Sequence, residues 1–133
     1  MMEVLQPKGW PRPKGYSNGL LAEGRVIFIA GQVGWNEDEI VVSDNFTEQV
    51  EQALKNIVVI LAEAGAGPQN VTRMTWFVTD KQQYLEQARE VGEAYRRVMG
   101  RHFPVMSLIE IKGLIEDGAK VEIEATAVLP AVG

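Results

Sequence analysis

Residues 45–79 read NFTEQVEQALKNIVVILAEAGAGPQNVTRMTWFVT, and the change of hydrophobic period inside this stretch decides the fold. Asn45 followed three residues later by Glu48 resembles a capping box, so a helix starts near Asn45. Phe46, Val50, Ala53, Leu54, Ile57, Leu61 and Ala64 then fall on one face of a 3.6-residue period. Gly65, Gly67 and Pro68 stop the helix. The glycine pair follows a helix instead of opening one, so it reads as termination and not as a phosphate-binding loop. From residue 71 the period drops to two, with Met74, Trp76 and Val78 on one face and Arg73 and Thr75 on the other, as in a strand.

Working outward, residues 25–31 contain the apolar run Val-Ile-Phe-Ile-Ala and end in glycine, which predicts a strand covered on both faces. With the helix and strand of 45–79 it makes a βαβ unit. Asp80, with Gln83 three residues on, caps a second helix whose apolar stripe is Tyr84, Ala88, Val91, Tyr95 and Val98 and which ends at Gly100. Its other face carries Glu86, Arg89, Glu90, Glu93, Arg96 and Arg97 and reads as solvated. Strands at 105–111 and 119–128 flank a turn through Gly113 and Gly118 and look like a hairpin or near neighbours. An early strand over 17–22 completes the order β-β-α-β-α-β-β. The expectation is an α+β domain, α/β-like in its crossovers, with a mixed sheet of about six strands and two helices on one face. Met106, Leu108, Phe28 and the Met74–Trp76 face are expected to leave apolar sheet surface bare, for which oligomerisation is the remedy.

The 133 residues fit one domain, 1–133, and leave no room for a second core. Cysteine is absent, which excludes disulfides, thiolate nucleophiles and sulfur-ligated metal sites and fits a reducing compartment. With no apolar leader pattern in 1–14 and no apolar run long enough to cross a bilayer, the expected location is cytoplasmic, with no membrane partner. Net charge is −5, and the 13 basic residues form no stripe, so a nucleic-acid partner is not expected. His102 is the one histidine. A histidine metal site or a Ser-His-Asp triad would depend on it alone, and a role in its loop is the simpler reading.

A series of short pieces runs from Gly15-Tyr16-Ser17 and Phe28-Ile29-Ala30-Gly31-Gln32 through Gln49, Ala53-Leu54-Lys55-Asn56 and Ala62-Glu63-Ala64-Gly65-Ala66. It continues through Phe77-Val78-Thr79-Asp80 and Phe103-Pro104 to Val121-Glu122-Ile123-Glu124-Ala125. In their order and spacing these pieces resemble the RidA (YjgF-type) enamine/imine deaminase family, historically labelled L-PSP endoribonuclease. The resemblance implies a chorismate-mutase-like fold, a homotrimer whose sheets meet as a central barrel, and a small-molecule pocket at each subunit junction. It implies hydrolysis of an enamine or imine to a carbonyl compound and ammonia, without a cofactor or metal.

Carried over position by position, the resemblance leaves a changed pocket. The family's substrate-binding arginine belongs to a Pro-Ala-Arg-Ser motif, and the matching stretch is Pro104-Val105-Met106-Ser107, so the cation is replaced by Met106. The glutamate that orients water matches Glu122, and the pocket tyrosine matches Tyr16. Ala30 stands where the family has a small polar residue before Gly31, Gly92 where it has an asparagine, and Leu108 where it has a thiol or hydroxyl. Arg12, Lys14, Arg101 and Lys112 are the candidates to replace the missing cation, and Trp35 is a further candidate for the lining. On structure alone Glu122 is an interface or surface charge and Met106 is packing. Three functions follow in order: a deaminase-type hydrolase of altered specificity, a noncatalytic ligand-binding or interaction trimer, and, remotely, an endoribonuclease.

Overall fold

The computed structural model describes residues 2–131. Its strands are β1 (Met2–Leu5), β2 (Gly19–Ala22), β3 (Arg25–Val33), β4 (Val71–Val78), β5 (Val105–Glu110) and β6 (Val121–Leu129), and its helices are α1 (Phe46–Ala62), α2 (Lys81–Glu86) and α3 (Ala88–Met99). Six strands are present, but they divide between a four-stranded sheet ordered β3-β6-β4-β5 and a separate β1-β2 ribbon. β6 runs antiparallel to both β3 and β4, while β5 lies parallel to β4. The crossovers β3-α1-β4 and β4-α2-α3-β5 are therefore both βαβ connections.

Of the two arrangements expected for the last two strands, the hairpin is corrected and they are near neighbours: β4 lies between β5 and β6. The turn at 113–118 spans that strand instead of closing a hairpin. Parallel pairing of β5 with β4 follows from the intervening helices, which return the chain to the same end of the sheet.

Helix α1 forms where the period requires. The Asn45 side chain accepts from the Glu48 N–H at 2.9 Å, while the Asn45 N–H donates to Ser43 Oγ, so the cap is one-sided and not a reciprocal box. Phe46, Val50, Leu54, Ile57 and Leu61 are fully buried against Met74, Trp76, Ile123 and Ala125. Gln49 shares that face. Its amide donates to the carbonyls of Ser43 and Gly118, and its oxygen accepts from the Lys120 N–H at 2.8 Å, so a buried polar side chain is satisfied on every side.

The second expected helix is broken at Gln87 into α2 and α3. The Gln87 side-chain oxygen accepts from both the backbone N–H and the hydroxyl of Thr47, which ties the break to the first turn of α1. Asp80 caps α2 through the N–H groups of Gln82 and Gln83. Gly100, at φ 70°, ends α3.

Pairing parity sets what each face of the sheet carries. Met74 pairs with Met106 and Trp76 with Leu108, and all four face the helices. The bare face is therefore not theirs, as had been expected from the apolar count. It carries Val26, Phe28, Thr75, Phe77, Ser107, Ile109, Glu122, Glu124 and Thr126. Strand β3 lies at the sheet edge with Phe28 81% exposed, so the continuous apolar run 25–31 is covered by the same chain on one face only.

Candidate functional site

Between α3 and the β5 edge lies a cavity of about 570 Å³. Tyr16, Gly92, Met106 and Leu108, four of the residues singled out by resemblance, line it together. They arrive from three parts of the chain: the loop before β2, helix α3 and strand β5. Ser17 donates its hydroxyl to the Phe103 carbonyl at 2.6 Å and its N–H to the Pro104 carbonyl at 3.1 Å, which anchors the loop holding Tyr16 beside the start of β5. Met106 and Leu108, two apart on β5, share its helix-facing side. Gly92 lies on α3, whose Ala88, Val91 and Tyr95, with Tyr84 of α2, form the opposite wall of the cavity from side chains that read as core periodicity.

The lining is largely apolar, with polar atoms at few points. The Tyr95 hydroxyl is engaged elsewhere, donating to the His102 carbonyl at 2.7 Å, and burial pushes its acidity well below that of an ordinary phenol. Trp76 also lines the cavity, and its buried indole N–H has no hydrogen-bond partner among the described residues. Such an orphan donor costs about 1–3 kcal/mol unless it is met by an acceptor. Of the four cations proposed to replace the missing arginine, Lys14 is at this cavity, whereas Arg12 and Arg101 line other hollows. Arg96, read from sequence as part of a solvated helix face, is at this cavity too.

Glu122, Gly31 and Ala30 stand apart from this group, on the other side of the sheet. Glu122 pairs with Phe77 and Val33, in the register that points away from the helices. A Cβ built on Gly31 would fall 2.6 Å from Cδ of Glu122, so the carboxyl group lies directly over that glycine. Ala30 borders a hollow of about 430 Å³ with Phe28, Arg73, Thr75 and Glu124. Within one chain the sheet separates Glu122 from Met106. Trp35 lies outside the Met106 cavity, in the turn after β3, where its carbonyl accepts from the Asn56 amide.

His102 has a structural place. A ring nitrogen meets the Val71 carbonyl, an arrangement that makes that nitrogen the donor and removes it as a base. No cluster of three or more metal-ligating side chains occurs among the described residues, and no described helix is long and apolar enough to cross a membrane.

Fold and cavity together define a small α+β protein with a mostly apolar hollow of metabolite size beside a parallel strand pair. A family model described as Endoribonuclease L-PSP matches residues 11–129. A RutC family protein of Aquifex aeolicus (strain VF5) is 36% identical over 129 residues, which is 96% of this chain and 99% of that one. The 2-iminobutanoate/2-iminopropanoate deaminase of Homo sapiens is 32% identical over 114 residues, 85% of this chain and 79% of its own. Among solved structures, the Rid family protein YyfB of Yersinia pestis, described as of unknown function, superposes with a TM-score of 0.82 at 30% identity, covering 96% and 98% of the two chains. The chain belongs to the L-PSP family, that of the RidA/YjgF, or Rid and RutC, proteins.

Proposed function

We propose that this Rid family member is a homotrimer that binds a small molecule between subunits and hydrolyses a reactive imine or enamine of altered specificity. In that reaction water adds to the C=N carbon, the nitrogen takes up protons, and the C–N bond breaks to leave a carbonyl compound and ammonia. Glu122 orients the water, and Tyr16, Ala30, Gly31, Gly92, Met106 and Leu108 surround the substrate. The opposite placement of Met106 and Glu122 supports a shared site, since a second copy laid against the Glu122 face is what would unite the two groups.

The observation that carries the altered specificity is the apolar floor of Met106, Leu108 and Trp76. A bidentate guanidinium–carboxylate contact contributes charge-assisted bonds of about 1.5–3 kcal/mol each, so its loss costs about two to three decades in affinity for a small keto-acid imine. An apolar cleft with few polar points favours a substrate with a larger hydrocarbon part.

The test generates imino acids in place with an amino-acid oxidase and follows ammonia release. The native chain is expected to be slow on imines with one- or two-carbon side chains and faster on bulky apolar ones. Met106→Arg is expected to gain on the small imines, and Glu122→Gln to abolish turnover. Equal native and Met106→Arg rates on the small imines would contradict the reading. Tight binding of a bulky analogue without turnover would favour the noncatalytic trimer.

A further inference from the structure

On helix α3 Arg96 follows Gly92 by one turn, and side chains in a helix lean back toward its N-terminus over the residue four positions earlier. At Gly92 no side chain competes for that space. A Cβ there would stand 3.6 Å from Nη1 of Arg96, which puts the guanidinium directly above the glycine, on the wall of the Met106 cavity. Its neighbour Arg97 is engaged, donating to Glu51 at 2.7 Å, and the ion pairs among the described residues leave Arg96 out. Lys14 adds a second positive charge to the same lining. Among the described residues of one chain, no carboxylate lines this cavity.

We infer that Arg96, seated over Gly92 and assisted by Lys14, is the anion anchor of this cavity, and that its ligand is a carboxylate carrying an extended apolar or aromatic body. The inference rests on the proposed small-molecule role of the Met106 cavity and names the class of ligand. A guanidinium delivered from α3 stands on the wall opposite Met106. A carboxylate held there therefore leaves its hydrocarbon part over Met106, Leu108 and Trp76, which an acid of two or three carbons cannot fill. The exposed Arg96 has an aliphatic stem long enough to keep its head in contact with water until a ligand displaces it. The planar fork then meets a carboxylate in two parallel hydrogen bonds.

The test is a calorimetric titration of the full chain with 3-phenylpropanoate and with its neutral isostere 3-phenylpropanamide. The native chain is expected to prefer the acid by about tenfold or more, as one well-formed charge-assisted contact provides. Arg96→Gln is expected to erase that preference by weakening acid binding far more than amide binding, Arg96→Lys to retain part of it, and added salt to reduce it in the native chain. An acid preference that persists in Arg96→Gln, or amide binding by the native chain with no preference for the acid, overturns the anchor and leaves the cavity reading standing. Failure of both probes to bind the native chain overturns the anchor and the cavity reading together.

Discussion

Two glycines, Gly31 within β3 and Gly34 just past its end, do different work. At Gly34 an added Cβ would stand 2.6 Å from the Gln49 Cα, so the backbone of α1 passes too close for any side chain. Gly34→Ala is expected to cost about 1–3 kcal/mol by overpacking, read as a lowered denaturation midpoint. At Gly31 the obstacle is the flexible end of Glu122, which can swing aside. Gly31→Ala is therefore expected to leave the midpoint within about 0.5–1 kcal/mol of the native chain while displacing the carboxyl and lowering any ammonia release. Sequence resemblance picked out Gly31 and Glu122 separately, and their contact is visible only across β3 and β6. Arg96 escaped notice for a related reason. Its place in a run of alternating charges signals solvent, and nothing local reports that the glycine one turn earlier clears a path to a cavity.

Among the elements, periodicity made α1 and β4 legible almost residue by residue, because both periods are local properties of the chain. Sheet order is not local. Strand β6 inserts between β3 and β4 although its partners lie far back in the sequence, Ala125 pairing with Met74 on one side and Ile29 on the other, and no neighbouring residue announces it. The break at Gln87 was equally hidden, since the partner that holds its side chain is Thr47 on another helix. Gln49 illustrates what such distant contacts contribute. Gln49→Met keeps the shape but strips partners from the Ser43 and Gly118 carbonyls and the Lys120 N–H, and is expected to cost about 2–4 kcal/mol in chemical denaturation. The Tyr95 hydroxyl similarly ties the end of α3 to the loop before β5. Burial raises its folded-state pKa above the unfolded value of about 10. The stabilisation is thus complete below pH about 10 and is lost as pH rises through the folded value, because the unfolded chain ionises first. Thermal scans at increasing alkaline pH are expected to show the midpoint falling, and Tyr95→Phe is expected to flatten that fall.

At the scale of the whole molecule, the continuous apolar run in β3 signals cover on both faces but not what provides it. The helices cover the side of Ile27 and Ile29 and leave Val26 and the almost fully exposed Phe28 outside. A bare sheet face with exposed aromatic and aliphatic side chains beside Glu122 is what a second copy would cover. Phe28→Arg is expected to weaken assembly and, with it, any activity that needs Glu122 and Met106 in one place. The most direct measurement is the mass of the native chain by light scattering at micromolar concentration. Three times the 14.7 kDa of one chain is expected, and a stable mass of one chain would contradict a site shared between copies.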